Sequence, residues 1–161
     1  MLDTDEFRSA LGQFATGVTV ITTLDDEGEP HSMTANAFSS ICLAPPTIMV
    51  CIAHGTNTHG FMEKTHRFGV NILTQEQQDL GAYFARRPEN RIGDVEYHYS
   101  ESENKTPVLD GSMVFFGCEV LGSHVYGDHT IYIGLVKEIR RNESGAPLMF
   151  YNSGWYNPAG N

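Results

Sequence analysis

Short runs of β-branched and apolar residues recur along this chain, and only three stretches carry helical periodicity; that ratio constrains the fold more than any other feature. The runs GVTVITT (17–23), TIMVCIA (47–53) and FGVNIL (68–73) read as strands, the second as a central one. Residues 113–124 and 130–140 read as a strand pair around the turn at Gly127-Asp128. DDEGEP (25–30) has turn chemistry, so a hairpin is expected there. From His31 to Leu43 small, polar and apolar residues alternate until Pro45-Pro46 stops the pattern. The helical stretches are Asp5 to Phe14, with Thr4 or Asp5 as cap, Thr58 to Lys64, with Thr58 as cap, and Glu76 to Arg87, where Leu80, Tyr83 and Phe84 share one side. Residues 88–105 read as irregular, and the aromatic tail 148–156 as extended.

Many closely spaced strands with few short helices predict a mainly β protein built as an antiparallel barrel, in one domain over 1–161. The βαβ alternation of a dinucleotide fold is absent, as are GxGxxG and GxxxxGK[ST]. A nucleotide bound by this chain must therefore be held without a Rossmann crevice.

Charge narrows the partners. With 20 acidic against 10 basic residues the formal net charge is −10, which argues against nucleic acid or an anionic membrane as partner. The one basic cluster is Arg86, Arg87 and Arg91, readable as a solvated loop or as an anion contact. Cys42, Cys51 and Cys118 are odd in number and lack CxxC spacing, so neither disulfides nor a zinc site is expected. Cys51 and Cys118 sit in apolar runs and read as small buried hydrophobes. No signal-like or membrane-spanning run is seen, and the expected location is the cytoplasm.

Four segments hold residues suited to ligand chemistry. In MTANAFSS (33–40), Thr34, Asn36, Ser39 and Ser40 offer small donors and acceptors while Ala35 and Ala37 let a flat heterocycle approach the main chain. The same pattern also describes an edge strand with a polar outer face. HGTNTH (54–59) follows the apolar strand, and its Thr56, Asn57 and Thr58 can meet a phosphate at a helix start. Its histidines match no common ligand spacing, so no metal is expected. Gly127-Asp128-His129 is either a plain turn or an imidazole at a barrel rim, able to donate to a carboxamide or phosphate. The tail aromatics Tyr151, Trp155 and Tyr156 need a partner subunit or a bound ring to stack on.

Taken in order, FATGVTV (14–20), TANAFSS (34–40), LAPP (43–46), VNIL (70–73), Gly127-Asp128-His129 and PLMFY (147–151) resemble the short-chain flavin reductases, the reductase components of two-component flavin-dependent monooxygenases. The resemblance implies a split β-barrel, usually a homodimer, that uses NADH or NADPH to reduce FMN or FAD for a partner oxygenase. It implies that Met33, Thr34, Ala35, Asn36, Ser39 and Ser40 line the isoalloxazine, with Cys51, Ile52 and Ala53 beneath it. Thr56, Asn57 and Thr58 would hold the ribityl phosphate, with Phe84, Arg87 and Arg91 beside the rest of the flavin. His129, as the one catalytic residue, and Tyr151 to Tyr156 would face the nicotinamide nucleotide, His129 positioning it and not transferring a proton. The chain departs from the family at Cys42, where serine or threonine is usual, and at Asn152-Ser153, where arginine and glycine are common. The rival reading is a flavin-binding electron carrier that keeps its flavin; the 127–129 turn and aromatic tail speak for the reductase.

Overall fold

A computed structural model describes residues 2–142 and 145–156. In chain order the elements are α1 (Thr4–Leu11), β1 (Thr16–Gly17), β2 (Thr19–Leu24), β3 (Pro30–Ala35), β4 (Phe38–Leu43), β5 (Pro46–Ala53), α2 (Asn57–Thr65), β6 (Arg67–Ile72), α3 (Gln78–Phe84), β7 (Tyr99–Glu101), β8 (Pro107–Leu109), β9 (Val114–Tyr126), β10 (His129–Arg141), β11 (Met149–Tyr151) and β12 (Gly154–Tyr156). Seven strands form the main sheet in the order β3-β2-β6-β9-β10-β5-β4, all pairs antiparallel.

The two edge strands of that sheet, β3 and β4, are consecutive in sequence and separated only by Asn36 and Ala37. The sheet must therefore curl until its edges meet at this corner. Phe38 N–H donates to the Asn36 carbonyl and Cys51 N–H to the Ala37 carbonyl, which fixes the bend. Away from the corner the edges splay, and α2 packs into the opening against β2, β3, β5 and β6. The result is a split barrel, as the resemblance implied.

Two cores follow from the period-2 alternation of β2. Ile21 faces the barrel interior with Val50, Ile52, Phe68, Val70 and Tyr132, and Met62 of α2 closes the end. Val18 and Val20 face the other way, under Leu80 and Phe84 of α3 and against Leu73, Leu109 and Leu148. This double cover explains why the first five residues of β2 are all buried. Each large side chain so buried contributes about 2–3 kcal/mol.

Several expectations need correction. The cap of α1 is Asp3, whose carboxylate accepts from the Asp5 and Glu6 N–H groups, not Thr4 or Asp5. The cap of α2 is Thr56; Thr58 is buried within the first turn. The stretch 31–43 is two strands, because the corner at Asn36-Ala37 interrupts its alternation. β5, as expected of its apolar run, is paired on both sides, with β10 and with the edge strand β4. The 88–105 segment contains a 3-10 turn and β7. The tail is a hairpin, not one extended strand: Asn152 and Ser153 take φ of 48° and 60°, a two-residue turn that folds β12 onto β11. Cys118 is buried as expected, whereas Cys51 is only half-buried and Cys42 is exposed.

Candidate functional site

The split between β3 and α2 opens a cleft of about 230 Å³. Its walls are His31 and Met33 from β3, Ala53 and residues 55–58 at the β5–α2 junction, and residues 84–89 with Arg91 after α3. On one side, Thr56 Oγ1 caps the His59 N–H at 3.3 Å and donates to the Ala53 carbonyl at 2.8 Å. The Asn57 and Thr58 N–H groups have no partner among the described residues, so α2 offers free donors and its positive dipole end to an anion. Across from it, Arg86 and Arg87 are exposed and in no ion pair among the described residues. Arg91 has a second task. Its Nη2 donates to the Ser32 carbonyl at 2.6 Å and its Nε to the Arg86 carbonyl at 3.3 Å, with the guanidinium over the Tyr83 and Phe84 rings.

A second cleft, of about 170 Å³, shares the Ala85 wall with the first. It is lined by Val18, Thr34, Ala35, Asn36, Phe150 and Trp155. Thr34 Oγ1 donates to the Gly81 carbonyl at 2.7 Å, which ties the β3 strip to α3 and leaves the hydroxyl lone pairs as acceptors. The Trp155 ring packs edge-on against Phe150, centroids 5.3 Å apart, and the hairpin is held to the end of α1 by Asn152 N–H to the Gly12 carbonyl and by Gln13 to Asn152 Oδ1. The Tyr151 hydroxyl also reaches Gln13. One cleft thus carries three arginines and one carboxylate, Glu89, and its neighbour is mostly apolar with two aromatic rings.

Met33, Ala53, Thr56, Asn57, Thr58, Phe84, Arg87 and Arg91 come together in the first cleft, and Thr34, Ala35, Asn36 and Trp155 in the second. Ser39, Ser40, Cys51, Ile52, His129, Tyr151 and Tyr156 line neither. Ser39 and Ser40 lie exposed on the edge strand β4. Ile52 is fully buried, so its side chain belongs to the core and only its main chain can lie under a ring. Thr58 is 1% exposed and its hydroxyl is taken by His31, so its main chain is what an anion can meet. Burial pushes the Cys51 thiol above its ordinary range. His129 opens β10 opposite Ala53, half-exposed, with Nδ1 2.7 Å from Asp128 Oδ1. The turn is gripped from β5: His54 N–H donates to the Asp128 carbonyl, and His54 and His59 both reach Thr130 Oγ1 through Nε2. Among the described residues no three His, Cys, Asp or Glu side chains gather as a metal site.

Sequence reasoning missed His31 and Ala85, whereas Arg86 stood in the basic cluster readable as an anion contact. The signal for His31 was available: it stands two residues before Met33 on a strand, hence on the same face. Its pKa falls to about 4, first because burial disfavours the charged ring and then because Arg91 repels it. At neutral pH it is an uncharged imidazole in a cationic cleft.

Comparison with known proteins agrees with this geometry. The flavin reductase like domain family matches residues 11–159. The reductase component of a flavin-dependent trigonelline monooxygenase from Acinetobacter baylyi is 39% identical over 155 residues, 96% of this chain. The chain spans about half of that relative, 49% of its length. An NADH-dependent flavin reductase from a Rhodococcus species is 36% identical over 149 residues, covering 89% of this chain and 80% of the relative. Among solved structures, the flavin reductase PheA2 superposes with a TM-score of 0.88 at 35% identity, covering 96% of this chain and 97% of that one. The family model covers most of the chain and relatives above 30% identity match it over most of its length, so the chain belongs to the flavin reductase like domain family.

Proposed function

We propose that this protein is an NAD(P)H:flavin oxidoreductase, the reductase component that supplies reduced flavin to a partner oxygenase. The observation that carries the reading is the pair of adjoining clefts, one offering phosphate donors and the other flat apolar walls. The residues suit a flavin: Ala35, Phe150 and Trp155 can flank a ring, while the α2 N–H groups, Arg86 and Arg87 can meet a phosphate. The bound flavin supplies a hydride acceptor, N5, for C4 of the nicotinamide. The protein's part is alignment. Thr34, Ala35 and Asn36 hold one edge of the ring site, Trp155 screens it from water, and His129 orients the nucleotide from the rim. No acid–base pair is needed, and His129 serves in positioning.

The proposal extends to a homodimer in the cytoplasm. Leu43 is 94% exposed and Phe14 77%, and Val125 and Tyr126 are 67% exposed each, apolar area that a second copy would cover. The exposed edge strand β4 invites the same cover. Three free cysteines suit a reducing compartment, and among the described residues no helix is long and apolar enough to cross a membrane. Loss of the reduced-nicotinamide absorbance on adding FMN, FAD or riboflavin tests the activity. Many turnovers are expected with NADH. No turnover with any flavin and either nucleotide would leave a flavin carrier in its place. Light scattering should give about twice the 17.8 kDa chain mass.

A further inference from the structure

His31 sits where β3 faces α2 across the split of the barrel. Its Nε2 lies 3.0 Å from Thr58 Oγ1, and its ring meets Phe61 edge-on with centroids 4.9 Å apart. Thr58 is almost fully buried and this is its only side-chain hydrogen bond among the described residues. A hydroxyl in that position needs an acceptor for its proton, and the one acceptor within reach is His31 Nε2. Thr58 O–H therefore donates, Nε2 accepts, and the proton of the neutral ring is on Nδ1. Nδ1 has no partner among the described residues, although the ring lines the cationic cleft between the start of α2 and Arg86.

We propose that His31 is a flavin-binding residue whose Nδ1–H donates to the phosphate-bearing end of the flavin, with Thr58 fixing the tautomer that makes it a donor. This rests on the reductase reading of the cleft and adds to it a residue and an atom. A phosphate oxygen is the acceptor that suits the site, because Arg86, Arg87 and Arg91 outnumber the one carboxylate in the wall, Glu89, and the α2 N–H groups are donors. A neutral imidazole reaches such an oxygen without adding a charge next to Arg91, so three donors from three elements converge: the α2 N–H groups, an exposed arginine and His31.

The test compares binding of FMN and riboflavin, which differ only in the phosphate, to the full chain by quenching of flavin fluorescence. His31→Phe keeps the edge contact with Phe61 and removes the donor. It should weaken FMN about tenfold or more and leave riboflavin within about twofold. His31→Gln, which restores a donor amide, should bring FMN back to within about threefold of the parent. Equal loss for both flavins, or no loss in His31→Phe, overturns the proposal while the parent protein still reduces flavin. Should His31→Phe not fold, Thr58→Val carries the test, since freeing the tautomer must lower the FMN-to-riboflavin preference; an unchanged preference overturns it. Failure of the parent to bind either flavin would instead remove the reductase reading itself.

Discussion

Asp128 Oδ1 lies 2.7 Å from His129 Nδ1, so the carboxylate holds the ring by one nitrogen and leaves Nε2 for a ligand. In the neutral ring Nδ1 carries the proton and donates to Asp128, which makes Nε2 an acceptor. The sequence suggested a donor at this rim. With Asp128 present, the natural partner of neutral His129 is instead an N–H group, such as the amide of a nicotinamide carboxamide, and not a phosphate oxygen. The hydrogen bond from His129, and then its charge when protonated, holds the Asp128 carboxyl below its ordinary range, so the anchor stays ionised at working pH.

Asp128→Asn should therefore raise the nicotinamide KM about two- to fivefold, with flavin affinity unchanged, because an amide no longer fixes the tautomer. His129→Ala should raise it about tenfold or more. Steady-state kinetics against NADH and flavin separately will check both. A loss of flavin affinity with intact nucleotide kinetics would place His129 on the flavin side of the site.

Stability should fall in acid through His31. Its folded pKa of about 4 lies below the ordinary 6.5, so the unfolded chain binds the proton more readily. The favourable contribution is present in full above 6.5 and is lost as pH falls from 6.5 toward about 4. Because the ring is partly open to solvent, the loss is about 1–2 kcal/mol. Arg91 adds to the shift and Asp25 opposes it. Chemical denaturation at pH 7 and at pH 4.5 should show His31→Gln less sensitive to that change than the parent; parallel losses in the two would assign the acid sensitivity elsewhere.

Strand identity was legible because β-branched runs and the turns at Gly28 and Gly127 mark it locally. The barrel was expected from the strand pattern, but the corner at Asn36-Ala37 where β3 and β4 meet was not, because sheet curl is a long-range result with no local signature. The same limit explains the ligand residues. Thr34, Ala35 and Asn36 were found as a strip, but Trp155 came beside them only because the Asn152-Ser153 turn folds the tail back. That Ile52 turns its side chain into the core was not legible, because a continuous apolar run does not show which residues face inward; its neighbours Cys51 and Ala53 are half-exposed, and it is not. The place of His31 on the Met33 face was readable, but its hydrogen bond to Thr58, 27 residues away, was not.

Gly134 packs closely against the barrel core. A Cβ placed there would lie 2.5 Å from Phe68 Cζ and 3.0 Å from Cys118 Cβ. Phe68 is fully buried in the core, so its ring must shift against core neighbours to make room. Gly134→Ala should destabilise the fold by about 1–3 kcal/mol, read as a lower denaturation midpoint with an unchanged slope. Flavin affinity in the surviving folded protein should match the parent, since Gly134 lines neither cleft.

The basic cluster that sequence left as either a solvated loop or an anion contact divides by residue. Arg91 spends two nitrogens on the Ser32 and Arg86 carbonyls and stacks on Tyr83 and Phe84, binding the 85–91 loop to β3. A lysine cannot reach both carbonyls or lie flat over two rings. Arg91→Lys should thus cost about 1–2 kcal/mol of stability and weaken every flavin alike, because the loop that walls the cleft loosens. Arg87 is exposed, without an ion pair among the described residues, and lines the same cleft. Arg87→Gln should leave the denaturation midpoint in place and weaken FMN about threefold to tenfold, with riboflavin unaffected and the loss shrinking as salt is raised. The two substitutions are measured side by side by melting and by flavin titration. If Arg87→Gln lowers stability while Arg91→Lys selectively affects FMN, the roles are reversed and Arg91 is the phosphate ligand.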